Sequence, residues 1–283
     1  MKHVDSARPR PAQGLALLGL LLGILSVGEA RAEAPKTFVV LQEHGVGTPG
    51  RAQPYLDELL RVVAAQNHWS SATGRYFSER SPALEFVRAD KPSFGIISLA
   101  AFVALKQSLG VSVIGEVVAP KAGGGQFLLA SERAKAVADC KGQRLTTLFA
   151  SDPKFVDRVV ARGAFRLSEF NLVEARRPLE PLKQVLRGEA MCALIDDVQF
   201  EAAQHIDRGA ALKPVWRSAA LPGMAVVAFP GADAAVVRSL EESLGAVCAK
   251  AKEACSSVGI EQIRPSDESR YQLVLETYSK SAP

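Results

Sequence analysis

Apolar and polar positions along this chain follow two rhythms. Short apolar runs closed by turn residues predict buried strands, and segments with an apolar residue every three or four positions predict amphipathic helices. "TFVVLQ" (37–42) is the first such strand. The Gly-rich stretch "HGVGTPGRAQ" reads as a loop. "PYLDELLRVVAAQ" follows as a helix with Leu56, Leu59, Leu60 and Val63 on one face. "WSSATGRYFS" is a weaker strand and loop, and "ERSPALEFVRADK" a second helix. "FGIISLAAFVAL" starts as a strand and turns helical near Ser98, and "VSVIGEVVAP" is another strand. This alternation of strand and helix predicts a parallel sheet covered on both faces.

"KAGGGQ" (121–126) interrupts the pattern, which then restarts. "QFLLAS", the strand within "VADCKGQRLTTLFAS", "FNLVEAR", "AMCALIDD" and "LKPVWRS" read as strands. Residues 152–162, "PLEPLKQVLRG" and "VQFEAAQHIDR" read as helices between them. "PGMAVVAFP" gives one more strand, and "ADAAVVRSLEESLGAVC" and "SDESRYQLVLETYS" two more helices. The expected fold class is α/β with two lobes, each a mostly parallel sheet flanked by helices. Lobe 1 is discontinuous, over 33–122 and 222–283, and lobe 2 spans 123–221. The two crossings form a two-strand hinge. Folds of this kind bind ligands in the cleft at the carboxyl ends of their strands.

The N-terminus adds a compartment. Lys2, Arg8 and Arg10 precede "GLALLGLLLGILSVG", an apolar run short for a membrane span, and Ala30-Arg31-Ala32 has the small-x-small form of a cleavage site. Residues 1–32 therefore read as a cleaved signal peptide, and the remainder as a periplasmic protein. Export makes disulfides the expected state of Cys140, Cys192, Cys248 and Cys255. Cys248 and Cys255 flank "AKAKEA" and can staple one helix end to the next turn, which leaves Cys140 with Cys192; four cysteines nonetheless allow three connectivities. The formal net charge of +4, with no basic stripe, gives no reason to expect a nucleic-acid partner. No GxSxG, HExxH or P-loop occurs; "GVGTPG" (45–50) has the glycine spacing GxGxxG but no Lys-Ser/Thr, and Cys192 lies inside an apolar strand, so the chain reads as a non-enzyme with no cofactor or metal.

Three stretches carry a family resemblance: "ALEFVRADKPSFGIISLAAFVAL", "FLLASERAKAVADCKGQRLTTLFASDPKF" and "PLKQVLRGEAMCALIDDVQFE". With the return segment Ala219-Ala220-Leu221-Pro222-Gly223, their order and spacing resemble the periplasmic solute-binding proteins of ABC transporters, in the phosphate/phosphite/phosphonate-binding branch. The resemblance implies a type 2 periplasmic binding protein fold, a monomer, a small oxyanion ligand and an ABC permease as partner. The same fold also serves ligand-sensing or accessory modules.

By position at the strand ends, the resemblance makes His44, Ser98, Ser151, Asp152, Asp196 and Asp197 the candidate ligand-binding residues. Ser98 and Ser151 would donate to an oxyanion, Asp196 or Asp197 would accept from a donor or cation, and His44 would close the lobe 1 side. The turn Ala150-Ser151-Asp152-Pro153 departs from the family's Ser/Thr-rich run. Ser151 and Asp152 are N-cap residue types and Pro153 suits the first helical position. An aspartate there repels an anion and can itself take the backbone N–H groups, which would favour a cationic or zwitterionic solute.

Overall fold

The structure is a computed structural model that describes residues 34–44, 48–119 and 124–280. The signal peptide expected over 1–32 lies outside the described residues. In chain order, the first lobe opens with β1 (Lys36–Leu41), α1 (Pro49–Gln66), β2 (Ala72–Phe77), α2 (Arg80–Asp90), β3 (Phe94–Ile97), α3 (Leu99–Leu109) and β4 (Ser112–Val118). The second holds β5 (Phe127–Ser131), α4 (Val137–Cys140), β6 (Arg144–Thr147), a π-helical segment (Phe155–Val160), β7 (Asn171–Glu174), α5 (Glu180–Leu186), β8 (Cys192–Asp196), α6 (Asp197–Ala203) and β9 (Lys213–Arg217). The chain then returns through β10 (Met224–Ala228), α7 (Ala234–Lys250), α8 (Lys252–Ser257), β11 (Gln262–Pro265) and α9 (Gln272–Ser279).

The strands form two mixed sheets, ordered β11-β4-β10-β3-β1-β2 and β7-β6-β8-β5-β9. The helix-linked neighbours β1–β2, β1–β3, β6–β7 and β6–β8 are parallel, as the strand–helix alternation requires. Antiparallel pairing enters where the chain crosses between lobes, with β10 against β3 and β4 and β5 against β8 and β9, and again at the sheet edge, where β11 runs against β4.

Side-chain alternation splits the core into layers. Phe38 and Val40 face α1 and α7, packing with Leu56, Leu60, Leu240 and Leu244. Val39 and Leu41 face the other way, with Phe86, Phe102 and Val103. Leu128 and Ala130 pack under α5 with Leu182 and Val185, while Phe127 and Leu129 face the other way, in the cluster that holds Phe149 and Phe155. The layer holding Val39 and Leu41 also contains Phe127, Leu129, Phe149, Phe155 and Val156, so one apolar cluster runs from lobe to lobe. The last helix and the turn leading into it, which ends at Tyr271, add to this bridge. Tyr271 packs edge-on to Phe102 at 5.0 Å, and at the far end the Lys154 ammonium sits 4.2 Å from the Tyr278 ring centre. Arg158 Nη1 donates to the carbonyls of Tyr278, at 3.1 Å, and Lys280.

Local sequence explains the helix boundaries. The Thr48-Pro49-Gly50 segment read as loop instead starts α1: the N–H groups of Arg51 and Ala52 donate to the Thr48 carbonyl at 3.0 and 3.1 Å, and Pro49 takes the first helical position, where its missing N–H costs nothing. Asp233 caps α7 by accepting from the N–H groups of Ala235 and Val236 at 2.8 and 3.1 Å. Beyond Pro153 the helix widens to π geometry, with Ala161 N–H reaching the Val156 carbonyl, five residues back, at 2.8 Å. β11 and α8 were not legible as separate elements: β11 buries only Ile263 and exists by pairing with β4. Both disulfides form in the pairing reached by elimination, Cys140–Cys192 and Cys248–Cys255.

At the return crossing, Gly223 lies against β4. Its N–H donates to Glu116 Oε1 at 2.9 Å, and the buried Glu116 also accepts from Arg264 and Arg270. A Cβ at Gly223 would sit 2.1 Å from the Val117 carbonyl oxygen, a backbone atom that cannot swing aside. Gly223→Ala is therefore expected to lower stability by ~1–3 kcal/mol, read as a reduced urea midpoint at unchanged slope. An unchanged midpoint would show that the crossing relaxes freely.

Candidate functional site

Four strand ends converge between the lobes. β1 delivers Gln42, Glu43 and His44; β3 delivers Ser98; β6 leads to Phe149, Ser151 and Asp152; β8 ends at Asp196 and Asp197. This is the geometry that parallel strand–helix units create, because each chain segment leaves its strand at the carboxyl end and turns there into a helix. The residues enclose an inner cavity of about 40 Å³, bounded by Glu43, Ser98, Asp196, Phe127, Phe149 and Phe155. That is room for one or two waters. Outward lies a wider recess of about 930 Å³ lined by His44, Arg80, Ser151, Asp152, Arg176 and Arg177, among others. Glu43, Ala100 and Phe149 border both spaces.

Arg80, at the start of α2, was not among the sequence candidates, yet it organises the cleft. Its Nε and Nη2 each lie 2.7 Å from a Glu43 carboxylate oxygen, a bidentate pair, and Nη2 lies 3.5 Å from Asp152 Oδ2 across the cleft. The Glu43 side chain is 8% exposed and that of Asp152 14%, so this ionic bridge between lobes is largely shielded from water. Nothing in the local sequence marks Arg80, because its partners lie 37 and 72 positions away.

The sequence candidates take different places. His44 adopts a left-handed backbone (φ 61°) and sets its ring edge-on to Phe149 at 4.7 Å. Burial lowers the His44 pKa and the nearby Arg80 charge adds to the effect, outweighing the pull of Glu43 and Asp152, so the imidazole is neutral at neutral pH. Ser98 precedes α3, but its hydroxyl caps no helix N–H; its Oγ accepts a long 3.4 Å hydrogen bond from the Glu43 N–H. Ser151 is exposed on the rim. Asp152 caps the turn, with Oδ1 accepting from the Phe155 N–H at 3.1 Å. Asp196 forms a capping box at the start of α6, accepting from the Gln199 N–H at 2.8 Å while Gln199 Oε1 accepts from the Asp196 N–H at 2.9 Å. Burial raises the Asp196 pKa to about 7, with the neighbouring Asp197 charge adding to it and backbone hydrogen bonds opposing it. Asp197 is also raised by burial, but it points away from the inner cavity, into a recess on the hinge side beside Gln126 and Leu221.

The charge in the cleft is unbalanced. Among the described residues, Glu43, Glu79, Asp152, Glu174 and Asp196 line the two spaces against Arg80, Arg176 and Arg177. No cationic side chain among the described residues lines the inner cavity.

Comparison with known proteins locates the fold. No protein-family model matches the chain, and no curated protein sequence matches it. Solved structures do. A Xanthomonas citri protein bound to ATP superposes with a TM-score of 0.69 at 14% identity, covering 86% of this chain and 96% of its own. PhnD1 from Prochlorococcus marinus in complex with methylphosphonate gives 0.66 at 10% identity, covering 86% of this chain and 97% of its own. A binding-protein component of an ABC phosphonate transporter from Pseudomonas aeruginosa gives 0.65 at 13% identity, covering 86% of each. With two helix-flanked sheets meeting at a cleft lined by their strand ends, the chain has the two-lobed type 2 periplasmic binding protein fold.

Proposed function

We propose that this protein is exported to the periplasm, works there as a monomer, closes over a small solute and delivers it to an ABC importer. The observation that carries this reading is the convergence of strand ends from both lobes on one shielded cleft. Closure would then be the state the membrane partner recognises. The solute class we favour is a small oxyanion of the phosphate, phosphite or phosphonate type. Arg80 would be its charged anchor and the Ser98 hydroxyl a donor from the first lobe, with Ser151 contributing at the rim. The neighbours described with methylphosphonate and as part of a phosphonate transporter support this class.

One observation favours a second reading. The inner cavity has carboxylates at Glu43 and Asp196, phenylalanine walls and, among the described residues, no cationic lining residue. That chemistry suits an ammonium group, held by charge and by ring faces, and so a cationic or zwitterionic solute.

A thermal-shift screen of the refolded, solute-stripped protein separates the readings. The panel holds phosphate, phosphite, methylphosphonate, sulfonates, amino acids and polyamines. A solute at 100 times its Kd adds about 2.7 kcal/mol of stability, a readily measured rise in Tm. An oxyanion shift that shrinks in Ser98→Ala is expected for the first reading. A shift confined to amines or zwitterions would replace it with the second. No shift with any solute would overturn both.

A further inference from the structure

We propose that Asp152 is the cleft's specificity-determining residue: its carboxylate stands where a solute's anionic group would bridge the lobes, and an incoming oxyanion has to displace it. The proposal rests on the solute-binding reading of the cleft and says which feature of this chain selects among solutes.

The geometry carries the argument. Asp152 presents one carboxylate oxygen to a backbone N–H of its own lobe, at Phe155, 3.1 Å away. It presents the other to the Arg80 guanidinium of the opposite lobe, 3.5 Å away. A bound oxyanion that held the two lobes together would use the same two donors in the same way. The contact on the Arg80 side is poor. Asp152 Oδ2 is buried and accepts no hydrogen bond from the described residues, which offer it a long ion pair with a guanidinium already engaged twice by Glu43. A buried carboxylate oxygen held so loosely is a replaceable group, since an anion that reached hydrogen-bonding distance of Arg80 would gain what Asp152 forgoes.

Charge sets the direction of selectivity. Glu43 and Asp152 together give Arg80 one negative charge more than it can neutralise. A free oxyanion entering beside them adds a second excess charge in a shielded site, where repulsion is stronger than in water. With the Asp152 carboxylate in place, the cleft therefore holds a bare oxyanion less tightly than its donors allow, and selects for solutes that displace it. Removing that one charge should tighten oxyanion binding.

The test is a gain of binding. Asp152→Asn keeps the side-chain oxygen that accepts from Phe155 and removes the charge, and Asp152→Ser keeps a capping residue while vacating the space. Each is titrated calorimetrically with inorganic phosphate and with methylphosphonate, beside the unaltered protein. Both variants are expected to bind one of these at least tenfold more tightly than the unaltered protein. Adding Arg80→Lys, which keeps the charge but loses the fork, is expected to remove most of the gain. If the unaltered protein binds the anion as tightly as both variants, the proposal fails and the solute-binding reading stands. If neither the unaltered protein nor the variants bind these anions, while the solute screen finds another ligand, the proposal again fails alone. If nothing in the screen binds, both fall together.

Discussion

Asp196→Asn is expected to raise the stability of this protein at pH 8 and to leave it nearly unchanged at pH 4. Asp196 is 8% exposed, and burial, with help from the Asp197 charge, lifts its pKa to about 7 in the folded state. In the unfolded chain an aspartate loses its proton near pH 4. Below pH 4 both states hold the proton and the group contributes nothing. Between about pH 4 and 7 the unfolded state has released it and the folded state has not, so stability falls as pH rises, and above pH 7 the loss is complete. A shift of about three units corresponds to a ceiling of ~4 kcal/mol. Asparagine still offers an oxygen to the Gln199 N–H but offers one acceptor fewer to the other backbone N–H groups nearby, which takes back about 1 kcal/mol. A net gain of about 1–3 kcal/mol at pH 8 is the expectation, measured by urea unfolding at pH 4, 5.5, 7 and 8. Equal destabilisation at every pH would show that the charged carboxylate is needed as a helix cap. The same residue borders the inner cavity, so the destabilisation it causes when empty is what a bound cation would relieve.

The second large effect concerns the covalent frame. Replacing Cys140 and Cys192 together by alanine is expected to cost about 4 kcal/mol, from the unfolded-state freedom restored to a loop of 52 residues. The same double change at Cys248 and Cys255, separated by 7 residues, should cost only about 2–3 kcal/mol. The first bridge has the further role of fixing the start of β8, the strand whose far end presents Asp196, and both its cysteines are fully buried. Its loss should therefore weaken the solute-induced thermal shift as well as stability. Chemical denaturation of both double variants checks the ranking. If the short-loop pair proves the more important, the chain-entropy account of these bridges is wrong.

Much of the fold was legible because burial in a layered α/β structure leaves a local trace. β1, β3, β5, β8 and β10 are nearly all buried, and a strand covered on both faces must be written as an unbroken apolar run. The helices that begin at Asp197 and Ala234 could be read from their apolar spacing, and the aspartates that cap them, Asp196 and Asp233, act over only two or three residues. Elements that owe their form to a distant neighbour were hidden. β11 has one buried residue and needs β4 beside it, and the π geometry after Pro153 answers to packing around Phe155.

For the cleft, the sequence by itself showed which strand ends could face it and that Ser151 or Asp152 could cap the turn; the tertiary structure made Asp152 the cap. The tertiary structure alone decided that Glu43, Arg80 and Asp152 form one bridge between lobes, that Phe127, Phe149 and Phe155 wall the inner cavity, and that Asp196 rather than Asp197 borders it. Caps and apolar runs are short-range and are written in consecutive residues. Charge pairing across a cleft depends on where two lobes bring residues far apart in the chain, and the same arginine on another surface would be an ordinary solvated side chain.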